Sequence, residues 1–189
     1  MSPKESKLFV ISGPSGAGKG TLVSRVRELH PDLGLTVSAT TREPRSGEID
    51  GANYYFLSDD EFTRHIEAGD FLEWANVHDH RYGTLASEVD RNLAGGHSLI
   101  LEIDVQGALN VKKRFPGAVL IFIAPPSMEE LRRRLVARGS ETPESLELRM
   151  ADAAHELTFE GKYDEVVVND DLERSTRELL ELLNHYERI

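Results

Sequence analysis

The 189-residue chain carries 22 basic against 33 acidic residues, a net charge of −11, with 39% hydrophobic and 29% charged content and no cysteine. It is long enough for one domain with a real core and a small insertion, and lacking cysteine it has no disulfide, thiolate zinc site or cysteine nucleophile. No apolar run approaches the ~20 residues of a bilayer span, and the acidic surplus repels nucleic acid and anionic membranes, so an anionic ligand must be drawn in by local cations.

The polar opening, Met1 to Lys7, is too short for a signal peptide, and the expected location is cytoplasmic. The first apolar run predicts a strand over Leu8–Ser12. Gly13-Pro14-Ser15-Gly16-Ala17-Gly18-Lys19-Gly20-Thr21 follows it directly and leads into a helical pattern over 21–29. Glycines let successive backbone N–H groups turn toward one centre, Lys19 adds a full positive charge, and the helix dipole faces the same point. GxxxxGK between a strand and a helix is a phosphate cradle. Gly20 stands where the usual pattern has a Mg²⁺-binding Ser or Thr.

A second strand is expected at 35–38, followed by a stretch, about 40–93, that breaks the rhythm. Within it Tyr54-Tyr55-Phe56 and Phe71-Leu72-Glu73-Trp74 have strand character, and Ser58-Asp59-Asp60-Glu61 is a capping-box start for a helix between them. Thr40-Thr41-Arg42-Glu43-Pro44-Arg45 sits just past a strand; two arginines three apart can present two guanidinium forks to one phosphate, with Tyr54 and Tyr82 as phenolic donors nearby. His78-Asp79-His80 offers two imidazoles without a third metal ligand and reads as a solvated loop.

Core strands resume at 98–103, 119–123 and Glu165–Val168. Between them, Ser127 caps a helix to about 137, and Thr142-Pro143 opens another to about 160. The last helix, Leu172–Tyr186, places Leu179, Leu180, Leu183 and Tyr186 on one stripe. Strands alternating with helices predict an α/β fold with a parallel core sheet wrapped by helices. Glu102 and Asp104 alternate along one strand and so share a face.

In order along the chain, Gly13 to Lys19, Ser38-Ala39-Thr40-Thr41-Arg42-Glu43-Pro44-Arg45, Gly47-Glu48, Gly51-Ala52-Asn53-Tyr54, Phe71 to Trp74, Tyr82-Gly83-Thr84, Glu102-Ile103-Asp104-Val105-Gln106-Gly107 and the run from Arg138 to Arg149 resemble the guanylate kinase family. The resemblance implies a three-layer P-loop nucleoside monophosphate kinase fold in a single domain. Its core would be about 1–39, 94–137 and 161–189, its inserted mixed α/β GMP-binding subdomain about 40–93 and its lid about 138–160. It implies transfer of the γ-phosphoryl of ATP to GMP with Mg²⁺, giving ADP and GDP in purine nucleotide recycling. ATP and GMP would be the partners of a monomer or homodimer that takes no nucleic acid and no membrane.

Carried over residue by residue, Gly13, Pro14, Ser15, Gly16, Ala17, Gly18, Lys19, Gly20 and Thr21 would hold ATP phosphates, and Asn169, with Asp170, would meet the adenine. Arg42, Arg45, Tyr54 and Tyr82 would hold the GMP phosphate; Ser38, Glu73, Thr84 and Asp104 would read guanine, with Glu102 beside them. Guanine offers N1–H and an exocyclic amine as donors, which suits the carboxylates of Glu73 and Asp104, and its O6 and N7 suit the hydroxyls of Ser38 and Thr84. Adenine lacks that donor pair and would leave a carboxylate unpaired. Lys19, Arg42, Arg138 and Arg149 would neutralise the transferring group. No protein atom is expected on Mg²⁺ directly; Thr21, Glu102 and Asp104 would reach it through its waters. The acceptor phosphate is already ionised, so no general base is needed. A P-loop kinase with another phosphorylated acceptor, and a non-catalytic guanylate-kinase-like module that binds proteins, are the alternatives.

Overall fold

In a computed structural model describing residues 5–77, 79–137 and 142–189, the chain alternates strand and helix almost throughout. It begins with β1 (Leu8–Ser12), α1 (Lys19–Leu29), β2 (Gly34–Leu35), β3 (Ala39–Thr40), β4 (Tyr55–Phe56) and α2 (Asp59–Ala68). Then come β5 (Phe71–Val77), β6 (His80–Leu85), α3 (Ala86–Ala94), β7 (Leu99–Glu102), α4 (Val105–Arg114) and β8 (Val119–Ala124). The remainder is α5 (Met128–Ala137), α6 (Pro143–Leu157), a 3₁₀ turn at Glu160–Lys162, β9 (Glu165–Val168) and α7 (Leu172–Tyr186).

β1 and β8 are buried from end to end, which is why they read as unbroken apolar runs and not as alternating ones. They lie inside a five-stranded sheet of order β2-β7-β1-β8-β9 whose pairs are all parallel, with Val10 opposite Leu101 on one side and Leu120 on the other. Successive residues of β1 serve opposite faces. Phe9 and Ile11 pack with Leu22 and Val26 of α1 and Leu179 and Leu183 of α7; Leu8 and Val10 pack with Ala108 and Val111 of α4. Each such side chain contributes about 1.5–3 kcal/mol by leaving water. This double cover holds the C-terminal ends of β1 and β7, where the site forms.

The stretch from Ala39 to Ala94 builds a second, mixed sheet of order β4-β3-β6-β5, with β3 and β4 parallel and the other pairs antiparallel. Its own core is small: Ala39, Phe62 and Phe71, with the two phenyl rings stacked at 4.4 Å. α2 has the expected capping box: Ser58 Oγ accepts from Glu61 N at 3.2 Å while the Glu61 carboxylate accepts from Ser58 N at 2.8 Å. Arg114, at the end of α4, donates to the carbonyls of Phe71 and Gly69 and ties the start of β5 to the main body.

Several expectations shift. The strand expected at 35–38 is only Gly34–Leu35; Thr36 N still donates to Ile100 O at 3.1 Å, and then the chain leaves the core sheet, so Ser38 falls between the sheets and its carbonyl accepts from Tyr55 N at 2.9 Å. The strand expected at 54–56 is Tyr55–Phe56, with Tyr54 making a lone bridge to Asp50. β6 had no sequence signal, because its His-Arg-Tyr-Gly-Thr-Leu lacks a two-residue hydrophobic period. Gly83 is required there, since a Cβ would lie 2.9 Å from both Phe71 and Trp74 side chains. Asp104 does not continue β7: the strand stops at Glu102 and Asp104 caps α4. Helix α6 ends at Leu157, short of the expected 160, where the chain drops into the 3₁₀ turn. No helix among the described residues is long and apolar enough to cross a membrane.

Candidate active site

The loop between β1 and α1 turns on Gly13, Gly16 and Gly18, whose φ angles are 135°, 91° and 93°. At Gly13 a Cβ would lie 2.2 Å from Ile123 O, so only glycine lets the loop pass this close to β8. Gly18, the left-handed N-cap of α1, faces Asn169, whose Nδ2 would be 2.3 Å from an added Cβ. Asn169 is buried; its Nδ2 donates to Ala17 O at 2.7 Å and its backbone N to Ala124 O at 2.8 Å. Arg134 of α5 closes the same corner, donating to Asn169 O at 2.9 Å. The side-chain amide of Asn169, expected to meet adenine, is therefore engaged in holding the loop.

Lys19 Nζ donates to the carbonyls of Gly13 at 2.5 Å and Pro14 at 3.1 Å, so its charge lies over the loop. No residue of the first turn of α1 is itself acidic, so the positive end of its dipole is not neutralised from within the helix. From α6, Arg149 donates to Ser15 Oγ at 2.9 Å. Glu156 of the same helix is raised above the ordinary carboxylate range by burial, with Lys19 pulling it down and Asp104 and Asp152 pushing it up. Thr21 lies with Asn169 and Asp170 in an outer cleft of about 490 Å³, lined also by Arg133 and Arg134. There Glu130 is held down to about 2 by its bonds to Arg133 and Arg134.

On the other side of the loop, a cleft of about 510 Å³ opens between the two sheets, lined by Ser38, Tyr54, Glu73, Tyr82, Glu102 and Asp104 among others. These residues come from five separate stretches of sequence. Thr84 Oγ1, fully buried, donates to Glu73 Oε1 at 2.8 Å. Glu73 is 8% exposed, and burial lifts its carboxyl above the usual range; Thr84 opposes that shift and Asp104 adds to it. Thr84, expected as a donor to the base, thus directs its proton to Glu73 and orients that carboxylate. Asp104 accepts from Gly107 N at 2.8 Å through Oδ1. Glu102 is raised by desolvation and lowered by Lys19, and both its carboxylate oxygens lie 3.7 Å from where a Gly20 Cβ would be. Among the described residues no group of three or more His, Asp or Glu side chains is arranged to hold a metal ion.

The arginines differ from the expected pair of forks on one anion. Arg42 donates to both oxygens of Glu48, at 2.9 and 3.0 Å, and to Glu43 O at 2.7 Å. Its guanidinium lies 5.4 Å from the centroid of Tyr54, whose ring meets Tyr82 edge-on. Glu48 is the nearest countercharge and is held below its ordinary value by Arg42 and the Arg45 backbone. Arg45 is exposed at the rim. Arg138 lies outside the described residues, as do 139–141 and His78. Sequence reasoning missed Glu48 as a partner, although Gly47-Glu48 stands in the motif. It also missed Arg134, for which the only local signal is its i, i+4 spacing from Glu130, and the cleft-lining Ala75, Asn76 and Ile103, whose types carry no signal.

A family model described as guanylate kinase matches residues 5–186 of this chain. The guanylate kinase of Caldanaerobacter subterraneus subsp. tengcongensis is 53% identical over 176 residues, covering 93% of this chain and 85% of that protein. The crystal structure of guanylate kinase from Anaplasma phagocytophilum superposes with a TM-score of 0.77 at 34% identity, covering all of this chain and 90% of that one. Shikimate kinase from Bacteroides thetaiotaomicron, at 18% identity and a TM-score of 0.50 over 94% of this chain and 98% of that one, shares the fold alone.

Proposed function

The chain belongs to the guanylate kinase family, an ATP-using nucleoside monophosphate kinase that acts on GMP, and from that premise we propose how its two clefts divide the reaction. ATP phosphates sit on the loop of Gly13 to Thr21, against Lys19 and the N-terminus of α1, with the nucleoside running into the outer cleft beside Arg133 and Arg134. GMP enters between the sheets, its base toward Glu73 and Asp104 and its phosphate toward Arg42, Arg45, Tyr54 and Tyr82. The stretch 40–93 is then the GMP-binding insertion and 138–160 the lid, on a core of 1–39, 94–137 and 161–189. We place the enzyme in the cytoplasm, as a monomer or homodimer.

The observation that carries this reading is the buried Glu73–Thr84 pair set opposite Asp104 in one cleft. A buried carboxylate is costly unless it meets donors, and a guanine edge with N1–H and an exocyclic amine supplies them. An adenine there lacks that donor pair and would leave a carboxylate oxygen not held by Thr84 or Gly107 without a donor from the base, the strong form of discrimination. Only one nitrogen of Arg42 is engaged by Glu48, so the rest of the guanidinium fork can turn to the GMP phosphate.

Chemistry then reduces to placing two anions in line and cancelling their repulsion. Lys19 neutralises the donor phosphates, and Arg149 closes from the lid side; Arg138 is assigned to the transferring group by the family resemblance alone. Magnesium fits the chemistry of this corner. With Gly20 lacking a hydroxyl, the oxygens of Glu102 stand beside that position, and they and Asp104 would hold the ion through its waters, whereas Thr21, expected with them, lines the outer cleft instead. The chemistry supplied there would be neutralisation of the ATP phosphate charge. A coupled ADP-formation assay with ATP and Mg²⁺ across GMP, AMP and a ribose phosphate tests the reading. GMP is expected to be the acceptor by orders of magnitude; preference for either of the others would overturn it.

A further inference from the structure

Gly107 occupies the third position of α4, a place where the Asp104 cap is ordinarily answered by Glu or Gln and where glycine costs about 1 kcal/mol relative to alanine. Its conformation does not explain the choice. Gly107 is helical and is absent from the glycines of positive φ, so any residue could adopt its backbone.

Space explains it. A Cβ at 107 would lie 2.8 Å from Asp104 Oδ1, 3.3 Å from Ile103 Cδ1 and 3.4 Å from Glu73 Oε2. At the first distance the Asp104 carboxylate would have to shift, while 3.4 Å from Glu73 Oε2 is ordinary contact; both carboxylates face the cleft between the sheets. Gly107 N also donates to Asp104 Oδ1 at 2.8 Å. Thr84 holds Glu73 Oε1, so the oxygen turned toward Gly107 is Oε2. Each carboxylate therefore has one oxygen fixed by the protein, and the bare α-carbon of Gly107 lets the two converge, one from β5 and one from the cap of α4.

We infer that Gly107 is a positioning residue for base selectivity: the missing side chain sets the approach of Glu73 to Asp104, and with it the preference for a base offering two adjacent donors. This rests on the assignment of Glu73 and Asp104 to guanine.

The test is Gly107→Ala, assayed with GMP, with IMP (which lacks the exocyclic amine) and with ATP. The KM for GMP is expected to rise about tenfold or more and the GMP-over-IMP preference to fall similarly, as for loss of about 1.4 kcal/mol of discrimination. The KM for ATP and the unfolding temperature should be held, and Gly161→Ala, where a Cβ meets nothing within 4 Å, should match the parent. A wild-type GMP KM and GMP-over-IMP ratio in Gly107→Ala would overturn the inference, as would equal damage to ATP and GMP. If Gly107→Ala does not fold, Asp104→Ala/Gly107→Ala is compared with Asp104→Ala: folding with an unchanged GMP KM supports the inference, and misfolding or further loss overturns it. Glu73→Gln run alongside separates the two levels. If it keeps full GMP preference, the guanine assignment itself fails; if it loses preference while Gly107→Ala keeps it, only the role of Gly107 fails.

Discussion

Around residues 13–18 the chain is held by backbone and buried groups: Ile123 O against Gly13, Asn169 against Ala17 and Gly18, and fully buried strands on either side. The cleft between the sheets is held differently. Its walls are β5, β6, the segments carrying Ser38 and the half-buried Tyr54, and the stretch from Glu102 to Asp104, and its charges are arranged by side-chain pairs, Arg42 with Glu48 and Glu73 with Thr84. The donor half is therefore preorganised by the core, where any displacement disturbs close packing. Under the proposed assignment the acceptor half is held by side-chain pairs that could exchange one hydrogen bond for another, as a subdomain closing over its substrate would require.

That contrast is most sharply broken at Lys19. Lys19→Met should lower turnover by about 10³-fold or more, while calorimetric affinity for GMP stays near the parent value; comparable loss of GMP affinity would mean the halves are not separable. Next is Asn169→Ala, which removes the donor to Ala17 O and the group filling the space beside Gly18. It should raise the KM for ATP and lower kcat by roughly 10- to 100-fold together, with the KM for GMP nearly unchanged in steady-state assays. Because Asn169 belongs to the preorganised half, its loss should also lower the unfolding temperature.

Glu73→Gln is the smaller effect and the opposite case. It should weaken GMP use by about 10- to 100-fold without lowering stability. The sign follows from burial, which raises the Glu73 carboxyl above its unfolded value. The folded protein then binds that proton more tightly than the unfolded chain, so the ionised side chain costs stability increasingly as pH climbs above the ordinary carboxylate range. Gln removes the cost, so thermal unfolding at neutral pH should occur at the same temperature as the parent or higher, with the difference closing in acid. The same raised carboxyl predicts that GMP recognition fails on acidification before ordinary surface carboxylates protonate.

The two halves were also unequally legible. Leu8–Ser12, the glycine loop and Leu172–Tyr186 each carry their signal within a few consecutive residues, a buried run, a spacing or a single stripe. The α2 capping box is equally local. In the acceptor half, Ser38, Tyr54, Glu73, Tyr82 and Asp104 meet only because two sheets face each other, and it was the ordered motifs of a family that placed them together. What stayed hidden depends on distant partners. Asn169 reaches Ala17 across 152 residues, Arg134 reaches Asn169 from another helix, and β6 forms because Gly83 fits against Phe71 and Trp74. The closeness of Glu73 and Asp104 to Gly107, from two elements, leaves no mark in a sequence window.

Titration calorimetry of GMP into Lys19→Met and into Glu73→Gln tests the division of labour most directly. Lys19→Met should bind GMP within about threefold of the parent and Glu73→Gln at least about tenfold more weakly, a gap of about 1.4 kcal/mol or more. Equal weakening in both variants, or loss confined to Lys19→Met, would contradict it.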